Sequence, residues 1–166
     1  MKIIPRTLLT AGVATAAFTV CATQAAVTVT FTQPDKYIDM PFSSSDKEMV
    51  MTDLQRHFDK LGATLPAGQD LKLEVLDIDL AGRVEPSARS TRDFRVLRGG
   101  ADWPAITIRY SLESQGKVIK SGEERVTDQN YLMGFNHYSS NESLRYEKQM
   151  LERWFKKTLL PQKAGT

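Results

Sequence analysis

Two carboxylates, Asp77 and Asp79, stand two residues apart inside the apolar stretch Val75-Leu76-Asp77-Ile78-Asp79-Leu80-Ala81-Gly82. On a strand that spacing puts them on one face, about 7 Å apart. Such a pair suits two oxygen ligands for a hard cation, or an acid and a base if further groups converge on them. It also suits a rim position at which each carboxylate accepts from arginine, with Arg109 on a neighbouring strand and Arg98 in the following connection as partners. A metal-dependent hydrolase reading would recruit Asp128 as a third acid, but the ligand spacing of a calcium-binding loop is absent.

The other chemistry-bearing residues are sparser. His57 falls on a helical stripe between Leu54 and Phe58, the place of a boundary core residue, and His137 sits in the polar Asn136-His137-Tyr138 segment. No Cys/His cluster, phosphate-binding glycine loop or nucleophile elbow occurs, and no cofactor is implied. Arg83, Arg89, Arg92, Arg95 and Arg98 crowd the connection between Ala81 and Trp103, closed by Gly99-Gly100. Their guanidinium groups fit a small anionic ligand or the carboxylates of a partner, while Glu85, Asp93 and Asp102 neutralise part of the charge. Trp103-Pro104 reads as a packed strand entry. Asp128, Asn130 and Tyr131 open a second polar connection that also carries Tyr138 and Tyr146.

The elements that must position these groups follow from hydrophobic period. Val27 to Phe31 alternates as a half-buried strand and stops at Gln33-Pro34-Asp35. Val50, Leu54, His57, Phe58 and Leu61 form the stripe of an amphipathic helix, with Ser45 or Asp46 as N-cap and Gly62 as stop. Leu71 to Leu80 is a long strand whose apolar side changes midway, so its second half either buries the other face, twists or carries a bulge, in each case with Asp77 and Asp79 continuing the line of Leu71, Leu73 and Val75. Ala105 to Leu112 and Val118 to Val126 form a hairpin, with Ile106, Ile108, Tyr110 and Leu112 inward and Thr107, Arg109 and Ser111 outward. Leu144, Met150, Leu151, Trp154, Phe155 and Leu159 mark a C-terminal helix closed by Pro161. The expected fold is therefore α+β: a single domain in the order β-α-β-β-β-α, with a mixed or mainly antiparallel sheet of about four strands against two helices.

The first residues speak to compartment. Lys2 and Arg6 precede an uncharged run from Leu8 to Val20, and Thr23-Gln24-Ala25 supplies small residues at a cleavage point. This is a secretory signal pattern over residues 1–25 with the cut expected after Ala25, leaving a periplasmic domain over residues 26–166. Val20 stands where a lipoprotein signal wants a small residue, so Cys21 belongs to the leader, and the mature chain has neither thiol nor disulfide. Its roughly 140 residues suffice for one core. Losing Lys2 and Arg6 balances the chain's 22 basic and 20 acidic residues, so bulk attraction to nucleic acid is unsupported. No apolar run of about 20 residues is present to span a membrane, and the Asn141-Glu142-Ser143 sequon is set aside as a glycosylation signal.

Several stretches together carry a resemblance: Val29-Thr30-Phe31 with Pro34-Asp35-Lys36-Tyr37, Leu76 to Gly82, Arg95 to Gly99 with Ala101-Asp102-Trp103-Pro104, Asp128 with Asn130-Tyr131-Leu132, and Tyr146-Glu147-Lys148 with Met150-Leu151 and Trp154-Phe155. In their order and spread the whole mature chain resembles the domain of unknown function 3016 family of proteobacterial periplasmic proteins. The resemblance implies an exported single domain and brings no catalytic residues with it. The expected function is a non-enzymatic envelope protein binding a periplasmic protein or small anionic ligand near Asp77, Asp79, Arg98, Asp102, Trp103, Asp128, Asn130 and Tyr131. The alternatives are the metal-dependent hydrolase and a purely structural envelope component.

Overall fold

The computed structural model describes residues 25–85 and 94–161. The expected leader up to Gln24, with its Cys21, lies outside the described residues, as do Arg89, Arg92 and Asp93. The strands are β1 (Ala26–Phe31), β2 (Gln69–Asp79), β3 (Arg83–Glu85), β4 (Phe94–Val96), β5 (Ala105–Ser114) and β6 (Lys117–Thr127); the helices are α1 (Ser44–Gly62) and α2 (Arg145–Thr158), with a short 3₁₀ turn at Pro34–Lys36. Four strands form one mixed sheet in the order β1-β2-β5-β6. β1 runs parallel to β2, and the other pairs are antiparallel. The α+β single-domain reading holds, but the connection read as irregular from Ala81 to Trp103 contains the small antiparallel sheet β3-β4.

Both helices lie on one face of the sheet, and the core fills the space between. α1 contributes Leu54, His57, Phe58 and Leu61, as its stripe requires, and α2 contributes Met150, Leu151, Trp154 and Phe155. They meet Leu71, Leu73, Val75 and Ile78 of β2 and Ile106, Ile108, Tyr110 and Leu112 of β5, all buried. Ser43, not Ser45 or Asp46, is the N-cap of α1. Gly62 does end that helix, but for a packing reason: a Cβ there would lie 1.8 Å from Val27 Cγ2 on β1. The glycine lets the last turn press on the edge strand.

Two bulges set which side chains face the site. In β2 the register with β5 shifts between Val75 and Asp77, leaving Leu76 as the extra residue. The inward set therefore passes from Leu71, Leu73 and Val75 to Ile78 and Leu80, and the aspartates do not continue the earlier apolar line. They turn to the open face with Lys72 and Glu74, because one inserted residue reverses every later side chain. The hairpin has a second shift near its turn, where Leu112 pairs with Lys120 but Glu113 with Val118, so Ile119 is extra. Gln115 and Gly116 both take positive φ, 51° and 75°, the backbone of a two-residue turn that matches strand twist.

Candidate functional site

The open face of the sheet is an ion-pair ladder. Arg109 on β5 reaches Glu74 on β2 at 2.6 Å and Glu123 on β6 at 2.8 Å; Thr32 donates to the same Glu74, and Lys72 meets Glu113. Higher on that face, Asp77 and Asp79 converge on Arg125 of β6, at 3.6 and 3.3 Å. The acids thus pair with a guanidinium, but neither expected partner supplies it: Arg109 serves Glu74 and Glu123, and Arg98 serves Glu85 at 2.8 Å. Asp77 is further fixed by the Ile38 N–H, 2.9 Å from its Oδ1. Burial raises the pKa of Asp79 against the opposing pull of Arg125, and the charges of Asp39 and Asp77 add to the rise.

Behind the aspartates lies a junction that the sequence did not disclose. Tyr37 donates its hydroxyl to the Val75 carbonyl at 2.9 Å, and burial with the nearby Asp77 charge pushes its pKa up to about 12. Asp39 pairs backbone to backbone with Asp79 and accepts from Arg95 at 2.6 Å. The same guanidinium nitrogen lies within 3.4 Å of the carbonyls of Leu80, Ala81 and Gly82. Beneath them the fully buried Glu147 of α2 takes the Ala81 N–H at 2.8 Å. Burial raises its pKa, with that hydrogen bond and Arg95 acting in the other direction. Arg95 is thereby a brace for the end of β2. Only its position within the five-arginine connection hinted at it.

The remaining sequence candidates brace the same end of the sheet. Asp102 accepts the Arg98 N–H at 3.0 Å and the Tyr131 hydroxyl at 2.8 Å; the Arg98 N–H first, then Tyr131, holds its carboxyl below the usual range. The Asp102 carbonyl also accepts from Gly82, where a Cβ would lie 2.3 Å from the Val96 carbonyl oxygen. Tyr131 is buried edge-on against Tyr146 at 5.1 Å. Asp128 accepts the Asn130 N–H and pairs with Arg153 of α2 at 3.0 Å. Trp103 is half-buried at the entry to β5. All eight candidates lie toward one end of the sheet, but they divide into Asp77 and Asp79 around Arg125, Arg98 and Tyr131 around Asp102, Asp128 with Asn130 beside Arg153, and Trp103 at the entry to β5; among the described residues no single pocket gathers them.

A groove runs between β6 and α2, and of the eight candidates only Asp128 lines it. It measures about 660 Å3 and is lined by Val126, Met150 and Trp154 on its floor, and by Lys120, Glu124, Arg125, Asp128, Arg153 and Lys157 along its rims. Glu124 fixes the floor, accepting from Trp154 Nε1 at 3.0 Å and from Tyr110 at 3.1 Å. One rim is β6 itself, which among the described residues pairs with β5 alone and forms an edge of the sheet.

A family model described as a protein of unknown function, DUF3016, matches residues 25–157. The chain belongs to this family. No curated protein and no solved structure matches it. The DUF3016 match spans both faces of the groove and the braced end of the sheet, so these features sit within the family's own segment. A second recess of this DUF3016 domain lies between α1, α2 and the connection carrying His137, Tyr138 and Glu142. There His57, 4% exposed, bonds the Lys148 carbonyl at 3.0 Å. Burial holds His57 neutral, with its pKa lowered to about 4, as expected of a boundary core residue. His137, half-exposed as a loop residue should be, meets Glu152 at 2.8 Å. Among the described residues, no three His, Cys, Asp or Glu side chains are grouped to hold a metal ion.

Proposed function

We propose that the protein is an exported, non-enzymatic binding domain that takes an extended segment of a periplasmic protein along β6 and the groove beside it. One observation carries this reading: β6 is an 11-residue edge strand flanked by a groove of about 660 Å3 with an apolar floor and charged rims. A strand added to such an edge gains main-chain hydrogen bonds, and its alternate side chains enter the groove, which gives specificity. The volume falls in the range of ordinary ligand sites. The carboxylates Asp77 and Asp79 hold the Arg125 side chain on the open face, across the sheet from this groove.

A small anion fits less well than a polypeptide. The described guanidinium groups near the groove and the arginine-rich connection already meet carboxylates: Arg125 with the two aspartates, Arg153 with Asp128, Arg98 and Arg83 with Glu85, and Arg95 with Asp39. Hydrolysis through Asp77 and Asp79 would need their oxygens open to a metal ion or substrate, whereas Arg125 lies against both and the Ile38 N–H holds Asp77. The signal pattern of residues 1–25 supports export to the periplasm.

The test is site-specific photo-crosslinking in cells that export the protein. A photoreactive residue replacing Ile119 on the β6 edge should give a discrete adduct with another polypeptide, and Arg153→Glu should diminish it. The same residue replacing Lys72, on the central strand β2, should give none. An absent adduct at the edge, or equal adducts at both positions, refutes the reading.

A further inference from the structure

The end of the sheet opposite the β5-β6 turn is unusually apolar on its outside. β2 ends there, β5 begins, β6 ends, and both helices start from it. Among the described residues, eight of the ten exposed large apolar side chains belong to this pole; Val118 and Ile119 are the exceptions. Contiguous exposed apolar surface marks an interaction site.

The pole has a convex and a concave part. The convex part is a finger, Leu132-Met133-Gly134-Phe135, with Met133 79% and Phe135 84% exposed. Three large apolar side chains within four residues, all in solvent, are costly unless something covers them. The finger is also held in place. Tyr131 before it is tied to Asp102, Met133 N–H closes a turn on the Asn130 carbonyl, and Asn136 after it donates to the Arg145 carbonyl. The concave part is a groove of about 670 Å3 between α1 and β3-β4, lined among others by Phe42, Met49, Phe94 and Leu144. Leu144, next to Arg145, joins the two parts.

Their charges are complementary. At the base of the finger Arg145 stacks on Tyr146, makes no ion pair among the described residues, and keeps Nε buried without a hydrogen-bond partner. At the lip of the groove stands Asp46, exposed, likewise with no ion pair among the described residues. A bilayer would offer nothing to Asp46 and would repel it if anionic.

We propose that this pole is a two-fold contact between two copies of the chain, in which the finger of each enters the groove of the other and Arg145 of each meets Asp46 of the other. The arrangement is isologous: one patch carries both halves of the complement, so a single rotation satisfies both at once. It uses a surface separate from the β6 groove, so either proposal can fail alone.

Sedimentation velocity on the purified protein tests it. The wild type should show a reversible dimer, and Met133→Ser/Phe135→Ser should be monomeric with the thermal midpoint that the wild type has when diluted to monomer, since both side chains are exposed. Arg145→Glu alone and Asp46→Arg alone should each weaken the dimer roughly tenfold or more, because like charges then face each other twice. Mixing those two variants should recover a heterodimer, in which both cross-pairs are attractive again. A wild-type monomer at every accessible concentration overturns the proposal, as does a dimer indifferent to these substitutions. Flotation of monomeric protein with phosphatidylglycerol vesicles, abolished by the finger variant, would assign the pole to a membrane and equally overturn it.

Discussion

Replacing Asp77 by alanine should destabilise the protein by about 2 kcal/mol, and replacing Asp79 by about 0.5 kcal/mol or less. The asymmetry comes from their partners. Asp77 accepts the Ile38 N–H at 2.9 Å, a bond from backbone to charged carboxylate worth roughly 1.5 kcal/mol at such a partly exposed site. Its contact with Arg125 at 3.6 Å adds about 0.5 kcal/mol, kept small because the arginine is half-exposed and screened. Asp79 has the guanidinium at 3.3 Å, but burial disfavours its charge, so the gain and the desolvation cost nearly cancel. Asp77→Asn keeps an acceptor for Ile38 and should recover about half the loss. Urea unfolding followed by tryptophan fluorescence reads these differences as midpoint shifts at constant m-value. Acids held in place for a ligand are a burden on the fold, and removing them stabilises it. An Asp77→Ala protein as stable as the wild type, or more so, would therefore refute the assignment of these carboxylates to the architecture.

Two further outcomes follow from packing and protonation. With the His57 pKa lowered to about 4, the unfolded chain takes up that proton first as pH falls. Stability from the neutral imidazole is whole above the unfolded value and is lost between about pH 6.5 and pH 4; between pH 7 and 5 the loss is about 2 kcal/mol. His57→Gln should flatten that interval in urea midpoints, whereas an unchanged slope would place the dependence elsewhere. Gly62→Ala gains up to about 1 kcal/mol of helix propensity but drives a Cβ to within 1.8 Å of Val27 Cγ2. The net should be a loss of about 1–2 kcal/mol, because overpacking costs more than propensity returns. Val27→Ala in the same chain should recover part of it, and simple additivity of the two changes in unfolding experiments would contradict the contact.

The sequence was most informative where period and burial coincide. The stripe Leu54, Phe58, Leu61 could only be a helix face against a core, and the inward set Ile106, Ile108, Tyr110, Leu112 could only be one side of a strand. The turn at Gln115-Gly116 was legible from its residue types. The site was legible in part. Asp77 and Asp79 stood out as needing a cation, but the partner hid behind register. Counting outward from the turn without an insertion pairs Thr107 with Glu124; the extra Ile119 puts Arg125 there instead. The extra Leu76 likewise moves Asp77 from opposite Ile106 to opposite Thr107. Arg95 and Glu147 escaped notice for a related reason: their partners are backbone groups of residues 80–82 and the distant Asp39, and no local pattern encodes such contacts.

Alone, the sequence determined the class of fold, the faces of its helices, and the residue types that would need neutralising. Those properties depend on local periodicity and on the cost of burying charge, both written residue by residue. Tertiary structure decided which arginine meets which acid, that β6 lies at an edge beside a groove, and that apolar residues as scattered as Phe42, Phe94 and Phe135 gather at one pole. A single inserted residue in a strand reverses every side chain beyond it. Only the pairing of strands far apart in the chain reveals where such an insertion lies.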